Sequence, residues 1–142
     1  MNTKRKLAKN GALLSLLLLT GCGAATTHPV QGKVVFIGSE MAASELAGHT
    51  VTIETTDIQS PVSGTGVVTE DGTFEIGTYD MNDGAVLGQH RVVLTPPLPP
   101  VDEPEPPRLI HSKHFLFDTS GWQITITPGI NEVTLQVERP GS

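Results

Sequence analysis

Apolar and polar residues alternate with a period of two along most of the chain after residue 29. In "VQGKVVF" Val30, Val34 and Phe36 share one side, and in "TVTIET" Val51 and Ile53 face away from the polar residues beside them. This period is typical of β-strands that have one buried side and one solvent-facing side. "HRVVLT", with Val92 and Leu94, and "HFLF", with Phe115 and Phe117, repeat the pattern and predict further strands.

Two turn signals predict how neighbouring strands are joined. In "GVVTEDGTFEI" Asp71-Gly72 predicts a two-residue type I′ hairpin loop, in which Glu70 pairs with Thr73. The side chains that this register turns inward are Val67, Thr69, Phe74 and Ile76. Pro128-Gly129 predicts a type II turn between the last two strands, which form a C-terminal hairpin. The inward side chains of that hairpin are Trp122, Ile124 and Ile126, then Val133, Leu135 and Val137.

These elements predict an all-β fold, a single antiparallel seven-stranded β-sandwich over residues 30–139. Its proline-rich insert, residues 95–111, is predicted to be a stiff, exposed polyproline II strap between two strands. A segment of this kind either connects or offers a partner-binding surface, and both interpretations stay open. The candidate partner-binding residues are Pro97, Pro99, Pro100, Pro104, Pro106 and Pro107.

The N-terminal segment has the features of a secretory signal. Four basic residues precede an apolar run at 11–19, which is shorter than the ~20 residues that span a bilayer. Leu19-Thr20-Gly21-Cys22 resembles the bacterial lipobox, which implies cleavage after residue 21 and a lipid on the Cys22 thiol. The alternative is an ordinary secretory signal with an incidental cysteine. The lipobox interpretation predicts a signal peptide over 1–21, a lipidated N-terminus and flexible spacer over 22–29, and an extracytoplasmic protein anchored to the cell membrane or outer membrane.

Composition limits the partners. Cys22 is the only cysteine, so no internal disulfide can form. Loss of residues 1–21 removes four of the nine basic residues and none of the fifteen acids, so the formal charge moves from -6 to -10 (5 minus 15). Nucleic acid is therefore excluded as an expected partner, because phosphate binding needs clustered Lys and Arg. The expected partners are the membrane, through the lipid, and a protein of the cell envelope.

Several segments together resemble a known family. "VQGKVVF", "GVVTEDGTFEIGT" and "DGAVLGQHRVVL", followed by the proline-rich stretch, resemble bacterial lipoproteins with a carboxypeptidase-regulatory-like, or transthyretin-like, domain. The resemblance covers residues 30–138 and implies a prealbumin-like sandwich of seven strands. It implies no shared reaction.

No pattern of residues predicts catalysis, a cofactor or a metal site. Intradiol dioxygenases hold iron with two tyrosines, and this chain has one, Tyr79. Hydroxyisourate hydrolases end in Tyr-Arg-Gly-Ser, whereas this chain ends "ERPGS". "DMNDG", residues 80–84, lacks the spacing of a calcium loop and is predicted to be a turn.

The histidines and acids are likewise expected to be structural or solvent-exposed. In an extended "HSKH" segment, His111 and His114 point to opposite sides, so both are expected to be exposed polar residues. His28 lies in the spacer, His49 opens a strand, and His90 shares the side of Val92 near a strand start, which predicts an edge position. The acids Glu70, Asp71 and Glu75 are expected to face outward, without a buried partner.

The sequence therefore predicts a non-catalytic, membrane-anchored cell-envelope lipoprotein that acts as a structural or protein-binding β-sandwich module. The alternative is a carbohydrate-binding or sugar-processing accessory lipoprotein. Sugar sites need exposed aromatic rings, and Tyr79 is the one ring that the pattern leaves outside the core.

Overall fold

A computed structural model of the chain describes residues 25–141. The strands of this part are β1 (Thr27–His28), β2 (Val30–Phe36), β3 (Thr50–Thr55), β4 (Ser63–Val67), β5 (Thr73–Glu75), β6 (Ala85–Val86), β7 (Gly88–Thr95), β8 (Trp122–Ile126) and β9 (Asn131–Val137). Its helices are two 3-10 helices, Ser44–Leu46 and Ser112–Phe115, and a one-turn α-helix, α1 (Phe117–Ser120). No helix within residues 25–141 is long and apolar enough to cross a membrane.

The strands form an all-β sandwich. One sheet has the order β4-β3-β7-β8, the second has the order β5-β2-β9, and β1 pairs with β6. Seven of the strands in the described part are longer than two residues, which matches the predicted number. The prediction of a wholly antiparallel sandwich is wrong at one pair, since β2 runs parallel to β9 from Val30↔Asn131 to Phe36↔Val137. β1 also shortens the predicted spacer, because Thr27 and His28 are paired with β6.

The core lies between the two larger sheets and contains the predicted inward residues of β2, β3, β7 and β9. Its fully buried members include Val34, Val51, Ile53, Val92, Leu94, Leu135 and Val137. Trp122 and Ile124 of β8 are half-buried and pack against this cluster, while Ile126 is buried. The period of two therefore predicted the inward sides of these strands correctly.

The predicted two-residue hairpin loop at Asp71-Gly72 is wrong. The Thr69 amide donates to the Thr73 carbonyl at 2.8 Å, and the Gly72 amide donates to the Thr69 carbonyl at 2.9 Å. Residues 70–72 thus form a three-residue loop, with Gly72 at φ +74, which favours glycine. The shift in register turns Val67 outward, 59% exposed, and buries Val68. β4 and β5 then enter different sheets.

The last two strands are not a hairpin either. β8 pairs with β7, and β9 pairs with β2, so residues 127–130 cross between the two sheets. Asn131 holds this crossing: its Oδ1 accepts from the Thr127 amide at 2.9 Å, and its Nδ2 donates to the Thr127 and Gly129 carbonyls at 2.9 and 3.1 Å. Gly129 has φ +94, in agreement with the turn predicted at Pro128-Gly129.

The strand predicted at "HFLF" is also wrong, because a 3-10 helix, Ser112–Phe115, and α1, Phe117–Ser120, occupy this segment, with the extended Leu116 between them. The His111 Nδ1 atom accepts from the Lys113 amide at 3.1 Å, which begins the 3-10 helix. Gly121, at φ +71, ends α1 and lets the chain enter β8. Ser120 then fixes α1 to the sandwich by donating its hydroxyl to the Val92 carbonyl.

The sandwich has two ends, which we call the N-terminal end and the strap end. β6 directly precedes β7 in the chain and pairs with β1, so both lie at the end of the sandwich where β7 begins. The proline-rich insert follows Thr95, the last residue of β7, at the other end. β7 has 8 residues. At ~3.3 Å per residue, the two ends are about 25 Å apart.

Candidate partner-binding site

The strap consists of residues 96–111 and contains neither strand nor helix. It begins one residue later than predicted, because Thr95 belongs to β7, and it leads into a 3-10 helix rather than a strand. Ile110, 1% exposed, fixes its returning arm in the core. A turn at its tip is closed by the Glu103 amide, which donates to the Pro100 carbonyl at 3.1 Å, with Asp102 at φ +72.

All six candidate prolines are exposed, and they fall into two groups. Pro97, Pro106 and Pro107 lie at the base of the strap and line an apolar groove of about 300 Å³ with Ala47 and Phe115. Pro99, Pro100 and Pro104 lie outside that groove. The base of the strap is therefore packed along the sandwich, whereas its tip extends away.

The tip carries two apolar side chains that sequence reasoning missed. Leu98 is 94% exposed and Val101 is 91% exposed, each between or beside prolines. Asp102, Glu103 and Glu105 follow and give the tip a negative rim. The signal in the sequence was the position of Leu and Val within a proline run, where no alternation assigns them to a core.

The returning arm of the strap is held by a cluster around His114. The His111 amide donates to the Glu138 carbonyl at 2.8 Å, and the Glu138 amide donates to His114 Nε2 at 3.1 Å. The His114 ring stacks on Trp122, with centroids 4.2 Å apart and planes 8° from parallel. Lys113 forms an ion pair with Glu138 above this stack. The prediction that His114 is exposed is wrong, since the ring is 2% exposed.

His114 is neutral in this environment. Burial, together with the neighbouring Lys113 ammonium, lowers the pKa of His114 to about 4. Because Nε2 accepts a hydrogen bond, the ring proton lies on Nδ1, which is buried and has no hydrogen-bond partner among the described residues. Neither a carboxylate nor a hydroxyl is bonded to this nitrogen in residues 25–141.

Three further histidines form hydrogen bonds with backbone groups. His49 and His90 are buried, and burial lowers the pKa of each. Each ring is bonded through Nδ1 to a carbonyl, that of Leu46 for His49 and that of Gly88 for His90. The predicted edge position of His90 is wrong, because β7 lies between β3 and β8. His28 accepts from the Gly129 amide at 3.4 Å.

Within residues 25–141 no group of three or more His, Cys, Asp or Glu side chains is arranged to hold a metal ion. In the predicted turn at 80–84, Asp83 accepts from the amides of Thr78, Tyr79 and Asp80, and these hydrogen bonds hold its pKa below the usual value. Glu70, Asp71 and Glu75 are exposed, as predicted.

Tyr79 is exposed, as the sequence predicts, with a fractional exposure of 47%. It lies on a surface cleft that also includes Thr65, Asp80 and Asn82. The aromatic stacking pair found in the described residues is His114 with Trp122, and the other ring that lines the cleft of Tyr79 is that of Phe74, which is buried. Cys22, the predicted lipidation site, lies outside the described residues.

No protein-family model matches this chain, and no curated protein matches it in sequence. Among solved structures, it is similar to a DUF3823 family protein from Parabacteroides merdae, with 17% identity and a TM-score of 0.44 over 82% of this chain and 48% of that one. It is also similar to a 9R-lipoxygenase from Cyanothece, with 17% identity and a TM-score of 0.41 over 99% of this chain and 20% of that one. The chain thus spans about half of the first protein and a fifth of the second. Likeness at this level assigns neither a family nor a function to the chain.

Proposed function

We propose that this chain is a non-catalytic, lipid-anchored protein of the cell envelope, whose β-sandwich displays the strap to a protein partner. The observation that carries the proposal is the placement of the strap at the end of β7 opposite to β1. A chain anchored near its N-terminus then presents the strap tip on the far side of the sandwich. The resemblance to carboxypeptidase-regulatory-like lipoproteins is part of the same proposal.

The N-terminal residues supply the support for a lipid anchor. The four basic residues, the apolar run at 11–19 and the lipobox-like Leu19-Thr20-Gly21-Cys22 agree in order and spacing. One acyl chain gives marginal binding, whereas two or more anchor a protein stably. Cys22→Ser removes the thiol that takes the lipid. We expect wild-type protein in the detergent phase with an acylated Cys22 by intact mass, and the variant in the aqueous phase; an unmodified wild-type thiol would refute the anchor.

The strap has the physical properties of a binding segment. Its prolines restrict the chain before binding, so less conformational entropy is lost when a partner captures it. Leu98 and Val101 supply exposed apolar area, and the acids beside them favour a partner whose groove has basic residues at its rim. We therefore expect a groove lined by aromatic side chains and bordered by Lys or Arg.

The test is a photo-reactive cross-linker at residue 99 in intact cells, compared between the wild type and a Leu98→Ser/Val101→Ser variant. The matched control is Ile37→Ser/Leu116→Ser, because these two side chains are also exposed, 58% and 64%, but lie outside the strap. We expect a specific cross-linked species that the strap variant loses and the control keeps. Equal yields from all three proteins would show that the strap is only a connector.

Replacement of residues 96–107 by a Gly/Ser linker of equal length tests the same point more severely. The sandwich should stay folded, since Ile110 is retained and the replaced residues lie outside the core. With the photo-reactive residue kept at position 99 of the linker, the same cross-linked species should disappear. Its retention would contradict the proposal.

A further inference from the structure

Four large apolar side chains are exposed at the N-terminal end of the sandwich. Met81 is 92% exposed, Ile58 88%, Ile130 68% and Leu87 51%. They come from four separate segments, and none of them belongs to the core cluster. Large apolar side chains are exposed elsewhere as well, among them Met41, Leu98 and Val101, so the position of these four, and not their exposure alone, is what calls for an explanation.

The strand register shows that these segments lie at the same end. Thr55, the last residue of β3, pairs with His90 near the start of β7, so residues 56–62 extend from that end. Ile126, the last residue of β8, pairs with Gly88, so residues 127–130 do the same. Leu87 directly precedes β7.

The loop that carries Met81 joins this group through β1. The Ile76 amide donates to the Val30 carbonyl at 3.0 Å, and the Gly84 amide donates to the Ile76 carbonyl at 2.8 Å. Gly84 packs so closely on the His28 backbone that an added Cβ would lie 1.9 Å from the His28 carbonyl oxygen. The loop at 77–84 is thereby fixed beside the first residues that the structure describes.

The charges at this end point to an apolar rather than a cationic contact. Residues 56–62, 77–88 and 127–131 contain no Lys or Arg, and Arg91, which lines a pocket with Ile58, is paired with Glu54 and Asp118. Their acids are Asp57, Asp80 and Asp83, and the Asp83 carboxylate is occupied by three backbone amides. Such a surface is not attracted to anionic headgroups, but its aliphatic side chains can enter the interfacial region of a bilayer.

We propose that the N-terminal end is a membrane-docking face, in which Ile58, Met81, Leu87 and Ile130 insert into the surface of the bilayer that holds the lipid anchor. This inference rests on the anchor proposed above. Its occupant is a bilayer because the chain leaves the described structure at this end. Thr27 is five residues from Cys22, a distance of at most ~17 Å when fully extended.

The short tether makes a weak contact effective. Because Thr27, beside the face, is held within ~17 Å of the anchor, the face has a high effective concentration at the bilayer surface. A modest intrinsic affinity is therefore sufficient for it to stay bound. The sandwich then stands on the bilayer with β7 directed outward. The strap tip is held away from the surface, in a fixed direction instead of a random one.

The test uses the full acylated protein in phosphatidylcholine vesicles. Once Cys22 is acylated the chain has no other thiol, so a cysteine placed at Met81 or at Leu98 can be labelled uniquely with a fluorophore. Nitroxide-bearing phosphatidylcholine in the outer leaflet quenches a label that enters the interface. We expect quenching at position 81 to exceed that at position 98 by roughly threefold or more, as for a face buried in the headgroup and acyl boundary.

A second comparison assigns the effect to the apolar face. With the label at position 81, Ile58→Ser/Leu87→Ser/Ile130→Ser should lower the quenching toward the value at position 98. The matched control, Ile37→Ser/Leu116→Ser, changes exposed apolar residues that do not belong to the face and should leave it unchanged. Equal effects of the two variants would overturn the proposal.

The remaining outcomes separate this inference from the anchor. Vesicle-bound, acylated protein with equal quenching at both positions would overturn the docking face and leave the anchor intact. Protein without acylation at Cys22 would overturn the anchor and this inference together. Protection of the label at position 81 that rises with protein concentration, and not with lipid, would assign the face to contact between copies and would refute docking.

Discussion

The buried, neutral state of His114 makes the stability of the sandwich depend on pH. In the unfolded chain this histidine has an ordinary pKa near 6.5, whereas in the folded chain the pKa is lowered to about 4. Between these values the unfolded state binds more protons than the folded state, so stability is lost as pH falls. Burial and the neighbouring Lys113 ammonium explain the loss, because both disfavour the charged ring. A ring protonated on both nitrogens can also no longer accept from the Glu138 amide.

The linkage relation gives the magnitude. A folded pKa of about 4 against 6.5 removes about 2 kcal/mol between pH 7 and pH 5, and about 3 kcal/mol by pH 4. The substitution His114→Phe keeps a flat ring against Trp122 but cannot titrate. It should be less stable than the wild type at pH 7, by about 1–2 kcal/mol, because the Glu138 amide loses its acceptor.

The assay is urea denaturation of both proteins at pH 7, 6, 5 and 4, followed by far-UV circular dichroism. The lowered pKa values of His49, His90, Asp83 and Glu138 also make the fold less stable in acid. Burial lowers the pKa of the two histidines, and hydrogen bonds lower the pKa of the two acids, with Lys113 as the partner of Glu138. All four are present in both proteins. The lowered pKa values of Asp83 and Glu138 place their titration below pH 5, so between pH 7 and pH 5 the difference between the two unfolding free energies reports position 114. It should move by about 2 kcal/mol in favour of His114→Phe, which makes the two proteins about equally stable at pH 5 or reverses their order. Parallel curves would refute the buried neutral histidine.

Three further substitutions test the packing. Trp122→Ala should cost about 3 kcal/mol of unfolding free energy, the low end for a large aromatic, because the ring is half-buried. Gln123→Ala, on the other side of β8, should cost under about 0.5 kcal/mol. The reverse ranking in urea denaturation would contradict the register of β8. Asn131→Ala should cost about 2–3 kcal/mol, because the Thr127 amide loses its partner at the sheet crossing, and Gln136→Ala on the exposed side of β9 is its control; similar thermal midpoints would contradict the clamp. Gly72→Ala should cost about 2 kcal/mol, since it adds a side chain at φ +74 and a Cβ 2.7 Å from the Ala43 amide nitrogen; a calorimetric midpoint equal to that of the wild type would show that the three-residue loop can relax.

The sequence predicted which sides of the strands are buried better than it predicted which strands pair. Val51 and Ile53 alternate with threonines, and a period of two determines a face without any knowledge of the partner strand. Asp71-Gly72 fits a two-residue loop and a three-residue loop equally well, because both need a positive φ at the glycine. A one-residue change in the loop reverses every side chain that precedes it, which exposes Val67.

The environment of His114 could not be read from local spacing. In a strand, residues 111 and 114 point to opposite sides, whereas in a 3-10 helix residues three apart share a side. The 3-10 helix begins at the local cap from the His111 ring, whereas the burial of His114 depends on Trp122 and Glu138. The contacts with Trp122 and Glu138 are tertiary, and the period of two in "HFLF" contained no information about them.

The parallel pairing of β2 with β9 has a consequence for the order in which the chain can fold. The two strands are about a hundred positions apart, with Gln31 Nε2 bonded to Glu132 Oε1 across a separation of 101 residues. Contacts of such high order form slowly, because the loop-closure entropy is lost before the contact is made. Until β9 is available, β2 pairs with the three residues of β5 and, through the isolated bridge of Val35 with Ala42, with the segment that follows it. In a chain synthesised from its N-terminus, the order of strands itself therefore delays completion of this sheet until almost the whole chain is present.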